Sequence, residues 1–507
     1  MQLVAYGSQD VYLTGNPQIT FFKVVYRRHT NFSIEPIQQV FNGIANWGHS
    51  VSTTIARNGD LLYRMYITIK LPAVASNGST QFRWLNWLSH IIVQQAEIII
   101  GGQRIDRHYG HWLHIWNELT QTFGHQAGYA TMAGNVPKLV QSTTDTTPSI
   151  TLYVPLRFWF NRNVGLALPL IALQYHDIQI NLNLANVQDC YWASHSNRVP
   201  GDLGDVSLWV DYIYLDTDER RRFAQASHEY LIEQLQFTGD MPINSTSELV
   251  KMAFTHPVKE LIWTIQKDSL INTTLMNDYG GKQWFNFTDS IDYTYFSGTP
   301  QDPLGGGIGT AAFNVGNWYS SLPMSGTANG SVSTAGKSGV NGVSINGLYF
   351  DDLFNTTSNV SNRAWTAHLP VFDSGENPTE LAKIMLNGHD RLTAREGRYF
   401  NTVIPQECHE NCPAIGINVY SFALKPEEHQ PSGTCNFSRI DIAQLKLNIS
   451  AATYTSALTS PSADTAKIRV YATNYNVLRI MSGINSAKSV RHAFRKLKGL
   501  SLVSQCA

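Results

Sequence analysis

The chain has 507 residues, of which 43% are hydrophobic and only 15% are charged, and its formal net charge is −1. Because single hydrophobic cores stop growing at about 250–300 residues, this length predicts two comparable domains. The neutral balance excludes a global electrostatic field that would hold nucleic acid, so we do not expect the chain to coat a genome directly. A surface poor in charge is typical of a protein that partner subunits cover.

The first residues contain no basic segment followed by an apolar one, and the longest apolar run, residues 164–173, is half as long as a membrane span. The five cysteines are odd in number and scattered, which does not indicate a disulfide framework. These features predict a soluble protein made in a reducing compartment.

Short β-branched and aromatic segments recur along the chain, separated by Gly, Pro, Asn and Ser. Several alternate apolar with polar residues at period two, which indicates sheets with one wet or interfacial face. Residues 97–105 predict a hairpin, because Gly101 and Gly102 tolerate the positive φ of a two-residue turn. Many short strands with Gly-rich turns favour β-sandwiches. The clearest strand segments are residues 62–70, 178–184, 206–214 and 442–449.

Three histidines, His108, His111 and His114, recur at a spacing of three. On a helix they would share a face, and such a face can bind a metal ion. The adjacent Trp112 and Trp116 favour the other interpretation, an aromatic-rich packing or a subunit contact.

Two long polar segments, residues 121–149 and 297–347, interrupt the two halves of the chain. Loops of this length in compact β-domains are usually functional surface features, so we expect a tower at one end of each sandwich. A disordered insertion is the alternative for the second segment. Between them, residues 216–234 are charged and free of Gly and Pro, which predicts a helical linker capped by Thr217 or Asp218.

The sequence motifs that could indicate ligand binding, metal binding or catalysis are incomplete. Ala335-Gly-Lys-Ser338 is similar to the end of a phosphate-binding loop, but Ser331 stands where that motif needs Gly. Cys408 and Cys412 have no second ligand pair for a zinc site, so we expect ordinary reduced thiols. The sequence contains no Gly-x-Ser-x-Gly elbow, and no paired carboxylates or nucleophile–base set stand out, so it predicts no enzyme and no cofactor. Asn329, Asn355 and Asn359 are candidate glycosylation sites in loops, although conventional N-glycosylation needs the secretory lumen.

Several segments, in the same order as in the family, resemble the major capsid proteins of the nucleocytoplasmic large DNA viruses, the group of algal and giant viruses. They extend from residue 6 to residue 483, and the resemblance fades in the two long insertions. The segments are residues 6–32, 158–176, 215–223, 256–263, 420–437 and 474–483.

The resemblance implies an all-β fold of two consecutive eight-stranded jelly-roll sandwiches, a double jelly roll, with short helices in the linker and loops. The boundaries that follow are an N-terminal arm at 1–24, a first jelly roll at 25–215, a helical linker at 216–234, a second jelly roll at 235–481 with its tower loop at 297–347, and a basic tail at 482–507.

The implied function is that of a non-catalytic major capsid protein. Three copies would form a pseudo-hexagonal trimeric capsomer, and the capsomers would tile the icosahedral shell. Expected partners are neighbouring capsomers, minor capsid and penton proteins and an inner viral membrane, with no direct nucleic acid. The protein would be assembled in the host cytoplasm and reside in the virion. One alternative is a jelly-roll attachment protein that binds glycans, with Trp318 and Tyr319 stacking on sugars. A cupin-like enzyme is disfavoured because the sequence has no cluster of His and carboxylate ligands.

The tail departs from the family pattern, since relatives end soon after the position of Gly483. It is free of acidic residues, and Val490, Phe494 and Leu497 fall at helical spacing, which predicts a short basic amphipathic helix. We expect it to face inward and contact the membrane or a minor capsid protein; a solvated tail is the alternative. The candidate contact residues are Lys488, Arg491, Phe494, Arg495, Lys496 and Lys498.

Overall fold

Two antiparallel sandwiches follow one another along the chain. The computed structural model describes residues 7–277, 280–291, 376–455 and 464–480, with two short strands at 344–345 and 348–349. The basic tail and most of the second predicted tower lie outside the described residues, and so do Trp318, Tyr319, Ala335-Gly-Lys-Ser338, Asn329, Asn355 and Asn359.

The first sandwich has two sheets with the strand order of a jelly roll. Its strands are β1 (Phe32–Val40), β2 (Ser50–Thr54), β3 (Leu61–Lys70), β4 (Phe82–Trp84), β5 (Val93–Ile100), β6 (Gln103–Tyr109), β7 (Thr151–Pro155), β8 (Leu168–Pro169), β9 (Ile178–Leu184), β10 (Tyr191–Ala193) and β11 (Val206–Leu215). One sheet has the order β1-β11-β3-β7, with β8 beside β3, and the other has the order β2-β9-β5-β6. Their facing sides enclose one continuous apolar core.

The second sandwich repeats this topology. Its strands are β12 (His228–Phe237), β13 (Met241–Ile243), β14 (Ser247–Lys251), β15 (Pro257–Lys267), β16 (Ser344–Ile345), β17 (Leu348–Tyr349), β18 (Thr379–Leu386), β19 (His389–Asp390), β20 (Arg395–Glu396), β21 (Ile417–Ser421), β22 (Cys435–Asn436), β23 (Ala443–Ile449) and β24 (Ala466–Ile480). The sheets have the orders β12-β24-β15-β21 and β14-β23-β18-β19. Sheet β12-β24-β15-β21 is therefore the equivalent of sheet β1-β11-β3-β7.

Short helices occupy the connections between strands, and two of them lie where the sequence predicts the first tower. They are α1 (Val11–Thr14), α2 (Leu88–Ile92), α3 (Gly110–Thr120), α4 (Phe123–Ala133), α5 (Pro137–Val140), α6 (Trp159–Arg162), α7 (Thr217–Gln225), a π-helical turn (Tyr399–Val403) and α8 (Ile404–Cys408). Residues 121–149 do not form a projecting loop, because they contain α4 and α5 and bury Tyr129, Ala130 and Ala133. Gly124 and Gly128 weaken the helical pattern of this segment, so its sequence alone favours a loop. Among the described residues, no helix is long and apolar enough to cross a membrane.

The predicted linker helix is wrong in its extent and in its cap. Helix α7 ends at Gln225, and the second half of the predicted segment forms strand β12. The cap is Asp216, whose Oδ1 accepts a hydrogen bond from the N–H of Glu219 at 2.9 Å. Pairing with the long strand β24 overrides the helix-favouring composition of residues 228–234, because ladder bonds and burial outweigh local propensity.

The strand directions place the start of β1 and the end of β24 at one pole of the molecule. Phe32 at the start of β1 pairs with Leu215 at the end of β11, and His228 at the start of β12 pairs with Ile480 at the end of β24. The arm (residues 7–31), α7 and the end of β24 therefore share one end, here called the basal pole. The connections β3–β5, β6–β7, β9–β11 and β15–β18, the last of which contains the predicted second tower, begin and end at the opposite, apical pole.

Candidate assembly surfaces

Helix α3 of the first jelly roll covers the outer face of sheet β12-β24-β15-β21 in the second. Trp112 and Trp116 of α3 pack with ring centroids 5.6 Å apart, and Trp112 lies 5.5 Å from Tyr471 on β24. Ile262 of β15 is fully buried beneath them. Strand β15 is therefore enclosed on both faces, by its own core on one side and by the first jelly roll on the other. We call this contact the junction.

Glycine is required where α3 begins. A Cβ at Gly110 would lie 2.0 Å from the carbonyl oxygen of His90, so any side chain would push α3 away from α2. The junction thus depends on a close backbone approach that only glycine permits.

The three predicted histidines do not share a helix face. His108 lies on β6, where its Nε2 is 3.0 Å from Asp106 Oδ2 and its ring stacks on Phe158 at 4.6 Å. His114 lies on α3 and stacks on Phe285 of the second jelly roll at 4.2 Å. No group of His, Cys, Asp or Glu within the described part of the chain fits a metal ion. The interpretation as aromatic packing is confirmed.

Charged side chains are buried at the junction. Glu233 of β12 forms ion pairs with Lys259 of β15 at 2.8 Å and with Arg162 of the first jelly roll at 2.9 Å. Burial lowers the pKa of Lys259, and Glu233 opposes that shift. This network ties the first jelly roll to the second through one carboxylate.

A second buried network lies on the same sheet. His409 Nε2 is 3.2 Å from Glu260, and its Nδ1 is 2.7 Å from Glu427. Burial alone would lower the pKa of His409, but the hydrogen bonds to the two carboxylates outweigh burial and raise the pKa to about 9. His409 is therefore a buried imidazolium at neutral pH. Sequence reasoning missed both networks; the signal was the pair Lys259-Glu260 inside the otherwise apolar segment 257–263.

On the equivalent face of the first jelly roll, Ala167, together with Phe223 of α7, covers Leu61, Tyr63 and Ile213 near the basal pole, whereas the aromatic side chains nearer the apical pole are partly exposed. Trp209, Tyr66 and Tyr153 form an aromatic row across β11, β3 and β7, with ring centroids 6.3 and 6.1 Å apart. Tyr153 is 42% exposed, and every side chain from Phe32 to Pro36 of the edge strand β1 is exposed. We call this surface the open face. It presents apolar side chains where the second jelly roll has a covered sheet.

The basal pole is also apolar and exposed. Between Val11 and Tyr26, nine large hydrophobic side chains of the arm are each 69–98% exposed. Tyr175 and Leu424, in basal connections of the two jelly rolls, are more than 70% exposed. Exposed apolar patches of this kind mark interaction surfaces.

The predicted cysteines are free thiols. Cys408 Sγ lies 4.0 Å from the carbonyl oxygen of Ala423, and Cys412 Sγ lies 3.8 Å from that of Thr402. Burial raises the pKa of both thiols, so neither is an activated nucleophile.

Two sandwiches of the same topology, packed side by side with one equivalent sheet covered and one open, define a double jelly-roll protein. Two family models match almost the whole chain: "Major capsid protein N-terminus" matches residues 20–216, and "Large eukaryotic DNA virus major capsid protein" matches residues 219–486. The chain therefore belongs to the major capsid proteins of large eukaryotic DNA viruses. Its role is structural and non-catalytic, in the capsid of the virion, and the predictions of fold class and function are confirmed.

Individual relatives match over nearly their full length. The major capsid protein of Phaeocystis pouchetii virus is 48% identical, covering 96% of this chain and 98% of its own. That of Paramecium bursaria Chlorella virus 1 is 40% identical, covering 95% and 97%. A quasi-atomic model of the PBCV-1 virus capsid has a TM-score of 0.61 at 34% identity, covering 92% and 98%. The Faustovirus major capsid protein shares the fold, with a TM-score of 0.63 at 11% identity over 94% of both chains.

Proposed function

We propose that three copies of the chain close into a trimeric capsomer of nearly hexagonal outline, which tiles an icosahedral shell with its neighbours. The second jelly roll of one copy would cover the open face of the next, as the first jelly roll covers the second within one chain. A head-to-tail contact of this kind forms a closed ring when its rotation permits, and three two-roll chains supply six similar wedges.

The unequal coverage of two equivalent sheets supports this proposal. On β15, of the second jelly roll, all side chains from Val258 to Lys267 are buried. On the open face, Tyr153 is exposed, and so are Phe32, Ile34 and Pro36 of β1, which lie on the same face as Trp209. A second copy is the partner whose chemistry fits, because it carries the same kind of surface that already forms the junction.

Light scattering on the purified full chain tests the trimer. We expect a mass near three times 56.7 kDa. Tyr153→Glu places a charge on the open face and should shift the mass towards the monomer. Tyr175→Glu is the matched control, since it makes the same exchange at an exposed basal site, and it should remain trimeric. A folded wild-type monomer, or equal masses for both variants, would overturn the proposal.

We further propose that the basal pole faces inward and contacts minor capsid proteins, penton proteins or an inner viral membrane. The apolar arm supports this orientation, and so does the end of β24, because Ile480, the last described residue before the tail, lies at the same pole. Lys23, Arg27 and Arg28 make the arm basic, which suits an anionic partner surface. Assembly in the host cytoplasm belongs to the proposal, and the free thiols of Cys408 and Cys412 fit a reducing compartment.

Flotation with liposomes that contain anionic lipid tests the membrane contact. The full chain should float, and a chain that lacks residues 484–507, with Lys488 to Lys498, should float less. Equal flotation of the two would exclude a membrane role for the tail and leave a protein partner.

A further inference from the structure

Histidine rings meet at the junction, where α2 and α3 of the first jelly roll contact residues 280–291 and β24 of the second. The rings of His90 and His114 lie 5.7 Å apart, and Phe285 lies 4.2 Å from His114 and 5.6 Å from His111. We propose that this cluster makes the junction acid-sensitive: His90 and His111 hold the two jelly rolls together as neutral imidazoles, and their protonation loosens α3 from the second jelly roll.

The hydrogen bonds of the cluster suit neutral rings. His90 Nε2 lies 2.8 Å from Tyr129 Oη, while its Nδ1 meets no partner among the described residues. The Nδ1 of His111 likewise meets none there. A protonated imidazole carries two N–H donors, so a proton added to His90 would give a buried donor without an acceptor. Such a group costs the full penalty of its desolvation.

The charges around the cluster do not favour an imidazolium at His90 or His111. The positive charge of Arg157 lowers the pKa of His90, and that of Arg469 on β24 lowers the pKa of His111. The nearest acids are engaged: Asp240 binds Arg469 and Asp189 binds Lys282, while Glu118 lies 3.8 Å from His114. The charged and titratable groups that face the cluster are Tyr109, Glu118, Tyr129, Arg157, Asp189, Asp240, Lys282, Arg469 and Tyr471.

Burial acts in the same direction as these charges. It lowers the pKa of His90 well below the ordinary value, and His114 and Arg157 add to this effect. It lowers the pKa of His111 likewise, with contributions from Arg469 and His114. A cavity of about 230 Å³ borders both rings.

The sign of the effect follows from these shifts. Above about pH 6.5 both rings are neutral in the closed and in the open junction, so their titration does not affect closure there. Below that value an exposed histidine binds a proton while the buried one does not, so acid favours the open state. Each such ring changes the opening equilibrium by up to about tenfold per pH unit, so His90 and His111 together give up to about a hundredfold.

Hydrogen exchange of the α3 amides in the full chain tests the proposal. After correction for intrinsic rates, protection of residues 110–120 should fall by up to about thirtyfold between about pH 6.5 and 5.5. His90→Gln with His111→Gln removes titration but keeps polar side chains, and this variant should lose the pH dependence. His389→Gln changes an exposed histidine on β19 and should behave as the wild type does. Equal pH dependence in the double variant and the wild type would overturn the proposal.

A measurement on the unaltered chain covers the case in which the double variant does not fold. Exchange of the imidazole C2 hydrogen, followed by mass spectrometry, reports the titration of each histidine. Midpoints for His90 and His111 well below about 6.5 support the proposal, and ordinary midpoints contradict it.

Discussion

Replacing Lys259 with methionine tests whether the buried ion network stabilises the junction. The Lys259 side chain is fully buried, its ammonium lies 2.8 Å from Glu233, and it also donates to the carbonyl oxygen of Pro426. Breaking a buried pair by removing one partner costs about 3–5 kcal/mol, because the other charge remains without compensation. Arg162 stays 2.9 Å from Glu233, so we expect the lower end of that range, about 3 kcal/mol.

The assay is urea unfolding of Lys259→Met, Glu233→Gln and the double variant, followed by tryptophan fluorescence. Each single change should cost about 3 kcal/mol, and the double should cost no more than either, which is a coupling of about 3 kcal/mol. Lys383→Met is the matched control, because its pair with Asp390 is partly exposed and should contribute less than about 1 kcal/mol. If the two single costs simply add in the double variant, the network does not act as one unit and the reasoning is refuted.

Three further outcomes follow from the junction. His409 has a folded pKa of about 9, above its ordinary value, so its stabilising contribution is complete below about pH 6.5 and is lost as the pH rises through about 9. That contribution is on the order of 3 kcal/mol, so urea midpoints of the wild type should fall between about pH 7 and 10 more steeply than those of His409→Gln; parallel curves would contradict this. Gly110→Ala should destabilise the protein by about 1–3 kcal/mol in thermal unfolding, because its Cβ would clash with the carbonyl oxygen of His90. Gly124→Ala should not destabilise it, since a Cβ there meets nothing within 4 Å. Equal melting temperatures for the two variants would exclude the clash. Trp112→Ala removes a buried indole and should cost about 3–5 kcal/mol, and a calorimetric loss below 1 kcal/mol would show that α3 does not hold the junction.

The strands were predictable because their signals are local. The alternating segment Ile178–Leu184 forms β9 with the predicted bounds. Gly101 and Gly102 adopt φ values of 57° and 76° and join β5 to β6, as the two-residue turn requires. Period-two alternation and positive-φ glycines act within a few residues, so one sequence contains them in full.

The linker and the first insertion were not predictable in the same way. Residues 228–234 favour a helix locally, yet they pair with residues 474–480, which lie far away in the chain. Residues 123–133 form a helix that packs on the first jelly roll although two glycines weaken its propensity. In both cases a distant partner decides the structure, and local composition does not report that partner.

The charged networks were hidden for the same reason. Glu260 and His409 lie on different strands and connections, and only the fold brings them within 3.2 Å. The sequence shows Glu260 beside Lys259 in an apolar segment of β15. This indicates that both charges have buried partners, but it does not identify the partners. The open face was also invisible, since Trp209, Tyr66 and Tyr153 are far apart in the chain and become one surface through the register of β11, β3 and β7.

The two equivalent sheets differ in chemistry because their partners arrive differently. The junction forms within one chain, where the linker keeps the local concentration of its two halves high, so it can carry the desolvation cost of Glu233, Lys259 and His409. In the proposed trimer, the open face has to remain soluble before a second copy covers it. It therefore uses Tyr66 and Tyr153, which bury apolar area and keep a polar hydroxyl for water. A contact between copies that buried unpaired charges would carry their desolvation cost each time it formed. A row of aromatic side chains carries no such cost and can be either exposed or covered.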